Sequence, residues 1–573
     1  MRACSILFLL ATILALSASR QTSPGDHVLQ YVAAGFSAFS KSADTLDYAI
    51  QRLTPDNPRS IRAAKQALIR CRLRYKTIEF FLEYFFRSSA LIYNQPAKYE
   101  AEEPFLEYEA PRGLQYIESL LFGALNDSTL TLLNEQSTAV SASARDLRSL
   151  LYDFQPDDGP LMESLRLELI RVMALDITGY DAPLLETGIS EAAASMDAFS
   201  ACLQPRLGMG GEADSVRRYL AATRRLLHSA RGFDGFDRLS FLTDAALPLQ
   251  QHLSLWIEAE GLQYASVPAL NYHARDLFSP DAIRVEAFPN AEIRDSQNFA
   301  AIGRRLFTDK TLSVDGSRSC ATCHRPDRYF SDGQVVSPAL PRHAPLTRNT
   351  PSLLYAAYQY SQFWDGRSQS IQDQVRTVLA NPAEMGADTT RMDMRQTTAA
   401  LAAYIRSLKP FNSRVDRFFA GDHRTLAPAE IRGFNLFMGK ARCGTCHFAP
   451  IFNGLRPPLY DRSEYEVLGT PATDDLQHPK ADPDSGRFGV YPIPFYRGAF
   501  KTPTVRNTAA TAPYMHNGRF SDMSRLLDFY NKGGGTGIGL SPDNQTLDSR
   551  PLHLSPAEIR DLTAFITALT DQD

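Results

Sequence analysis

Apolar positions recur every three to four residues through most of the first half of the chain. In LQYVAAGFSAFSKSADTLDYAIQRL, residues 29–53, Leu29, Val32, Phe36 and Phe39 are followed by Leu46, Ala49 and Leu53. That period places them on one stripe of an amphipathic helix, which must bury the stripe against neighbours. IRAAKQALIRCRLRYKTIEFFLEYFF and DSVRRYLAATRRLLHSARGF carry the same period, so a helical bundle is predicted over residues 20–275. The texture changes at SVPALNYHARDLFSPDAIRVEAFPNAEI, where prolines and short extended runs read as a linker.

The second half contains an internal repeat. Ile302-Gly303 with Leu306-Phe307 precedes one cysteine pair, and Ile431 and Gly433 with Leu436-Phe437 precede another. Each unit closes on a further helix, TTAALAAYIRSLKPF in the first and AEIRDLTAFITALT in the second. Ser555, Pro556 and Glu558 form an N-cap, first-turn proline and capping-box acid for the last helix. Two successive helical domains of one type, residues 276–425 and 426–573, are the economical reading. The predicted fold class is therefore mainly α.

Composition changes this picture little. With Lys+Arg 60 against Asp+Glu 64, the chain has no bulk charge that selects nucleic acid or an anionic membrane as partner. The opening MRACSILFLLATILALSASRQTS joins a basic residue to an apolar run and then to small residues. This predicts a secretory leader over residues 1–19, cleaved around Ser17–Ser19. No later segment is apolar enough to span a bilayer, so an exported, periplasmic protein is expected. Of the seven cysteines, Cys4 leaves with the leader; Cys71 and Cys202 can pair or remain as two buried thiols.

The remaining four cysteines form two copies of one pattern, Cys320-Ala-Thr-Cys323-His324 and Cys443-Gly-Thr-Cys446-His447. A structural zinc site wants four ligands in paired clusters close in sequence, whereas these lie far apart, each with its own helices. A thioredoxin-type disulfide needs a βαβ context that is missing here, and it leaves the adjacent histidine unexplained. Covalently attached haem c accounts for all three residues. Two thiols three apart reach the two vinyl groups of one porphyrin, and the next residue offers an imidazole to the iron. Two haems c are predicted, with His324 and His447 as proximal ligands.

Two haems alone describe only an electron carrier. Residues 348–386, RNTPSLLYAAYQYSQFWDGRSQSIQDQVRTVLANPAEMG, lie between the motifs, and FKTPTVRNTAATAPYMHNGRFSDMSRLLDFYNKGG follows the second. Together with both C-x-x-C-H motifs, these stretches resemble the bacterial dihaem cytochrome c peroxidases, including their MauG-like branch, over about residues 290–573. The resemblance implies a peroxidatic first haem with Gln374 and Glu384 in its distal pocket, and Trp364 as a relay between the haems. It implies a calcium site through Asn349, Thr511 and Pro513, and a sixth ligand for the second haem at Tyr530. Conventional members have methionine there and MauG-like members tyrosine; Met515 is the rival ligand. A phenolate is a harder donor than a thioether and favours ferric or higher-valent iron. His343 resembles the histidine that caps the first haem in some members, and Val378 stands where MauG has a pocket-lining proline. In the first half, Gly113-Leu-Gln115-Tyr-Ile-Glu118 resembles the G-x-H-x-x-E pattern of imelysin-like helical domains, with glutamine in place of the metal-binding histidine.

Three readings compete at this stage. The leading one is a peroxidase that reduces hydrogen peroxide with electrons from a small cytochrome c or cupredoxin. The second is a MauG-like oxidase that modifies a partner protein through high-valent iron. The third is a non-enzymatic electron relay with a binding module in front of it.

Overall fold

The computed structural model describes residues 24–102, 107–289 and 297–572, so the leader expected at 1–19 lies outside the described residues. The protein is mainly α-helical. It divides into two compact units: one of residues up to 168 with 190–228 and 255–264, the other of residues 169–189, 229–254 and 265–573.

In the first unit, α1 (Pro24–Gln51) packs against α2 (Pro58–Lys76) and α5 (Asp127–Asp146), and α4 (Gly113–Phe122) packs on α2 and α5. Between them α3 (Glu79–Phe85) follows α2 after a break at Thr77–Ile78. The buried stripe of α1 is Val28, Val32, Phe36, Phe39, Ala43, Leu46 and Ile50, and Leu53, just past the helix end, is buried as well. Leu29 and Ala49, assigned to that stripe from sequence, are only half-buried, because continuing the helical period from Phe36 in both directions lands on Val28 and Ile50 instead. Asn57 caps α2 by accepting from Arg59 N at 3.0 Å, with Pro58 in the first turn.

The core of this unit is unusually charged. Arg72 binds Glu191 through two hydrogen bonds of 2.8 and 2.9 Å, and Lys76 pairs with Glu79 at 2.7 Å, all four side chains being almost fully buried. Gln115 and Glu118 also face inward rather than to solvent, and Glu118 lies 4.0 Å from Arg72. A buried carboxylate of this kind is tolerable only when a cation or hydrogen bonds compensate its lost hydration.

The second unit shows why the repeat exists. Helix α10 (Gln297–Phe307) packs on α12 (Met394–Arg406), and α14 (Pro428–Phe437) packs on α16 (Pro556–Ala568). At the first crossing a Cβ on Gly303 meets Ala400 O and the Tyr404 Cβ; at the second, one on Gly433 meets Asp561 O and the Phe565 Cβ. Glycine recurs because only it lets the two backbones approach so closely. The capping box expected for α16 is present, Ser555 N donating to Glu558 Oε2 at 2.8 Å. Strands β1 (Tyr465–Val467) and β2 (Ala499–Lys501) pair antiparallel, with Tyr465 opposite Lys501.

Residues 266–288 are not a free linker. Val267, Leu270, Leu277, Phe278, Ile283, Val285 and Phe288 are buried, and Phe278 stacks on Phe419 at 3.9 Å. Two stretches assigned from sequence to the bundle, 169–189 and 229–254, likewise belong to the second unit. Fully buried Arg238 donates to the carbonyls of Ile177, Phe233 and Phe236, while Asn435 of α14 accepts from Leu239 N at 3.0 Å and donates to Asp237. These stretches therefore buttress the second repeat, and Tyr180 packs edge-on against Phe448, the residue after His447.

Candidate haem-binding active site

Cys320–Cys323 form one helical turn, closed at its start by a reciprocal cap between Ser319 and Thr322. His324 N donates to Cys320 O at 2.9 Å, so the histidine leaves the turn immediately below the two thiols. The second motif repeats the arrangement: Cys443–Thr445 make a 3-10 turn and His447 N donates to Cys443 O at 2.9 Å.

Each imidazole is oriented by a carbonyl, which can only accept. His324 Nδ1 donates to Phe330 O at 3.1 Å and His447 Nδ1 to Pro503 O at 3.0 Å. Both rings are thereby fixed in the tautomer whose Nε2 lone pair is free to bind iron. Burial keeps them neutral, lowering His324 below its ordinary value and His447 to about 4. Burial also pushes the Cys320 and Cys443 thiols up to about 12, the reverse of a reactive redox C-x-x-C pair. Yet all six motif side chains retain accessible surface. Each motif thus presents two thiols and one neutral imidazole at half-exposed positions, the donor set that a macrocycle held by two thioethers and one imidazole requires. The donor set thus fits haem at both places.

Between the two motifs, α11 (Ile371–Ala380) packs on α12 and is capped by Ser370, which accepts from Asp373 N at 3.1 Å. Ile371, Val375 and Leu379 anchor one face, leaving Gln374 half-buried. The helix ends at Asn381, whose Oδ1 accepts from Ala383 N and whose Nδ2 donates to Glu384 Oε1, both at 3.0 Å. Backbone bonds from Leu340 N to Ala383 O (2.8 Å) and from Val314 N to Met385 O (2.9 Å) pin this loop. Burial raises the Glu384 carboxyl above the ordinary carboxylate value, against the opposing pull of Arg367, Asn381 and Arg318. The Cys323 thiol is raised chiefly by burial, with smaller electrostatic contributions that include Glu384. Arg367 and Arg318 were not singled out from sequence; no local pattern marks an arginine whose target lies in another loop.

Trp364 is half-buried and donates from Nε1 to Asn349 O at 2.9 Å. Its carbonyl accepts from Lys501 N at 2.8 Å, and Asn349 N donates to His516 O at 2.7 Å. The indole is therefore clamped between the segment after the first motif and the one after the second. Arg348 holds the adjoining turn by bonds to Asp365 (2.5 Å) and Asp484 (2.6 and 2.8 Å). Asn349 is buried, and its Nδ2 donates to Gln334 O at 2.8 Å, which leaves Oδ1 as the other amide atom. Thr511 and Pro513 lie on the half-buried strap that leads to His516.

Tyr530 sits on α15 (Met523–Asn531), whose Leu526, Leu527 and Phe529 are buried. Burial raises its phenol strongly, and Cys443, Cys446 and Glu466 raise it further, in that order. Tyr530 is thus coupled electrostatically to the cysteines of the second motif. Met515 is half-buried and directly precedes His516. His343 is exposed on its loop and Val378 half-buried on α11. Cys71 and Cys202 are buried free thiols, not a disulfide.

The family model of di-haem cytochrome c peroxidases matches residues 297–394. The methylamine utilization protein MauG of Methylorubrum extorquens is 34% identical over 296 residues, covering 47% of this chain and 77% of that protein. The chain belongs to the dihaem cytochrome c peroxidase family, in its MauG-like branch. A cytochrome-c peroxidase, IdrP1, of Denitromonas iodatirespirans is 32% identical over 313 residues, 47% of this chain and 81% of that one. A crystal structure of a MauG-like protein associated with microbial copper homeostasis covers 50% of this chain and 92% of its own, at 30% identity and a TM-score of 0.43. As a member of this peroxidase family the chain is a haem oxidoreductase, which sets aside the electron-relay reading. Among the described residues no helix is long and apolar enough to cross a membrane.

Proposed function

We propose that the protein is a periplasmic peroxidase that reduces hydrogen peroxide to water, taking two electrons from a small cytochrome c or cupredoxin. Two haems c attach through Cys320 and Cys323 and through Cys443 and Cys446, with His324 and His447 as proximal ligands. When bound, the haems supply the electron transfer that breaks the O–O bond. The chain's own contribution is to bind peroxide, move its proton and conduct charge. Glu384 Oε1 is held by Asn381, so Oε2 is the atom that takes the proton from the near peroxide oxygen and returns it to the departing one. Its proton affinity, raised by burial above the ordinary carboxylate value, suits a group that must accept a proton as well as release it. Gln374 orients peroxide by hydrogen bonds without titrating. Trp364 carries electrons between the sites, and a calcium ion at Asn349, Thr511 and Pro513 stiffens the strap around it.

The observation that carries this reading is a half-buried Glu384 with raised proton affinity, held by Asn381 and coupled electrostatically to Cys323 of the first C-x-x-C-H turn. Mixing the holoprotein with peroxide and a reduced small cytochrome c tests it: rapid oxidation is expected, and no oxidation above a Glu384→Gln control would sink it.

A second reading has its own support. Tyr530, coupled electrostatically to Cys443 and Cys446, favours a tyrosine-ligated second haem and an oxidase that acts on residues of a partner protein. Methionine rather than tyrosine ligation at that haem would end this reading while leaving the first intact.

A further inference from the structure

The segment that follows α16 ends in a buried hub. Asp571 is 3% exposed. Its Oδ1 accepts from Tyr355 Oη at 2.9 Å and from Asn412 N at 3.1 Å, and its Oδ2 from Tyr355 Oη at 2.9 Å and Asn507 Nδ2 at 2.7 Å. Asp571 N donates to Asn507 Oδ1 at 2.7 Å, and Asp571 O accepts from Tyr329 Oη at 3.2 Å. Gln572 and Asn412 add a reciprocal pair of 2.8 Å bonds.

The residues around this carboxylate are held in an uncommon backbone conformation. Tyr329 (φ +50°), Tyr355 (φ +62°), Phe411 (φ +48°) and Asn507 (φ +64°) all lie in the left-handed region. Phe411 joins the hub by donating from N to Tyr355 Oη at 2.9 Å. Bulky L-residues avoid that region, so these conformations persist only where surrounding bonds over-determine them.

Two of these residues lead straight to the proximal histidines. Tyr329 is followed by Phe330, also left-handed at φ +58°, whose carbonyl accepts from His324 Nδ1. Asn507 closes the segment that begins at Pro503, whose carbonyl accepts from His447 Nδ1. The same segment is tied down by Arg506, which donates to Asp416 at 2.8 and 3.0 Å and to Pro450 O at 3.1 Å.

We propose that Asp571 is a positioning residue shared by both haem sites: through Tyr329 and Asn507 it sets the two carbonyls that orient His324 and His447. A proximal imidazole donates more strongly to iron when its Nδ1–H bond is short and well aligned, so this hub tunes both haems together. The inference rests on the assignment of haem to the two motifs. It does not depend on peroxidase activity.

The test compares holoprotein carrying Asp571, Asp571→Asn, Tyr329→Phe or Arg432→Ala. Asparagine presents an NH2 where the carboxylate faced Tyr355, Asn412 and Asn507, so the Asn507 arm is disturbed, whereas Tyr329 bonds the main-chain carbonyl of residue 571 and is removed by its own variant. Arg432→Ala breaks only the exposed pair with Asp561 on the α14–α16 crossing, with bonds of 2.7 and 2.9 Å, and controls for loss of stability. Redox titration should show the potential of the second haem rising in Asp571→Asn, and resonance Raman of the reduced protein should show weaker iron–imidazole stretching. Tyr329→Phe should move the first haem alone, which keeps the test alive if Asp571→Asn does not fold. Arg432→Ala should move neither. A shift of neither haem in both hub variants, or an equal shift in Arg432→Ala, overturns the proposal. Wild-type spectra lacking histidine ligation would instead overturn the haem assignment, and this inference with it.

Discussion

In the first site His324 Nδ1 donates to Phe330 O, and the acid coupled electrostatically to the cysteine turn is Glu384, in the loop that ends α11. In the second, His447 Nδ1 donates to Pro503 O in the same manner, but the group coupled to the cysteines is the phenol of Tyr530 on α15. The histidines are held alike; the proposed partners of the two turns differ, a carboxyl in one and a phenol in the other. Duplication of a helix pair crossing at glycine explains the copied part, and divergence of the loops that follow explains the rest. On the proposed function, substrate chemistry belongs to the first site and charge storage or transfer to the second.

The comparison breaks most visibly at Glu384. Glu384→Gln should lower peroxide turnover by about 10²–10⁴-fold while leaving haem content and the second site's spectrum unchanged. Stopped-flow oxidation of the electron donor measures it, and equal loss of both haem signals would show a structural role instead. Tyr530→Met is the reciprocal change. It should replace the second haem's ligand, raise that haem's potential and leave the first haem's absorption as it was.

Sequence made these two sites unequally legible. The C-x-x-C-H turns are local, so five consecutive residues carry the whole chemical argument, and Glu384 and Tyr530 followed from family spacing. Long-range packing was not readable in the same way. Residues 266–288 look like a linker because proline and polar residues interrupt any period, yet Phe278 finds a partner in Phe419. Arg238 reads as an ordinary charged residue until Ile177, Phe233 and Phe236 offer it carbonyls. Asp571 is one acid among many, and its partners at 329, 355, 412 and 507 meet it only in the folded chain.

The copied part can be strained symmetrically. Gly303→Val and Gly433→Val each force a side chain into the neighbouring helix backbone and should each destabilise by about 1–3 kcal/mol, read by denaturant unfolding. A much smaller loss at one crossing would mean that the two helix pairs are not equivalent supports.

The smallest effect concerns pH. Because burial raises Glu384, the acid limb of the rate profile should lie above the ordinary carboxylate range, activity appearing as pH rises through that value. Arg367 lowers the Glu384 proton affinity, so Arg367→Gln should move the limb to still higher pH. A limb that stays put would remove Arg367 from the site.

The account's central claim is that two like haem attachments carry unlike distal sides. Electron paramagnetic resonance of the resting ferric holoprotein, with its absorption spectrum and haem content, tests it most directly. The prediction is two haems per chain, one high-spin with an open position and one low-spin with histidine and tyrosine ligands. Two matching six-coordinate spectra, or a single haem, would contradict it.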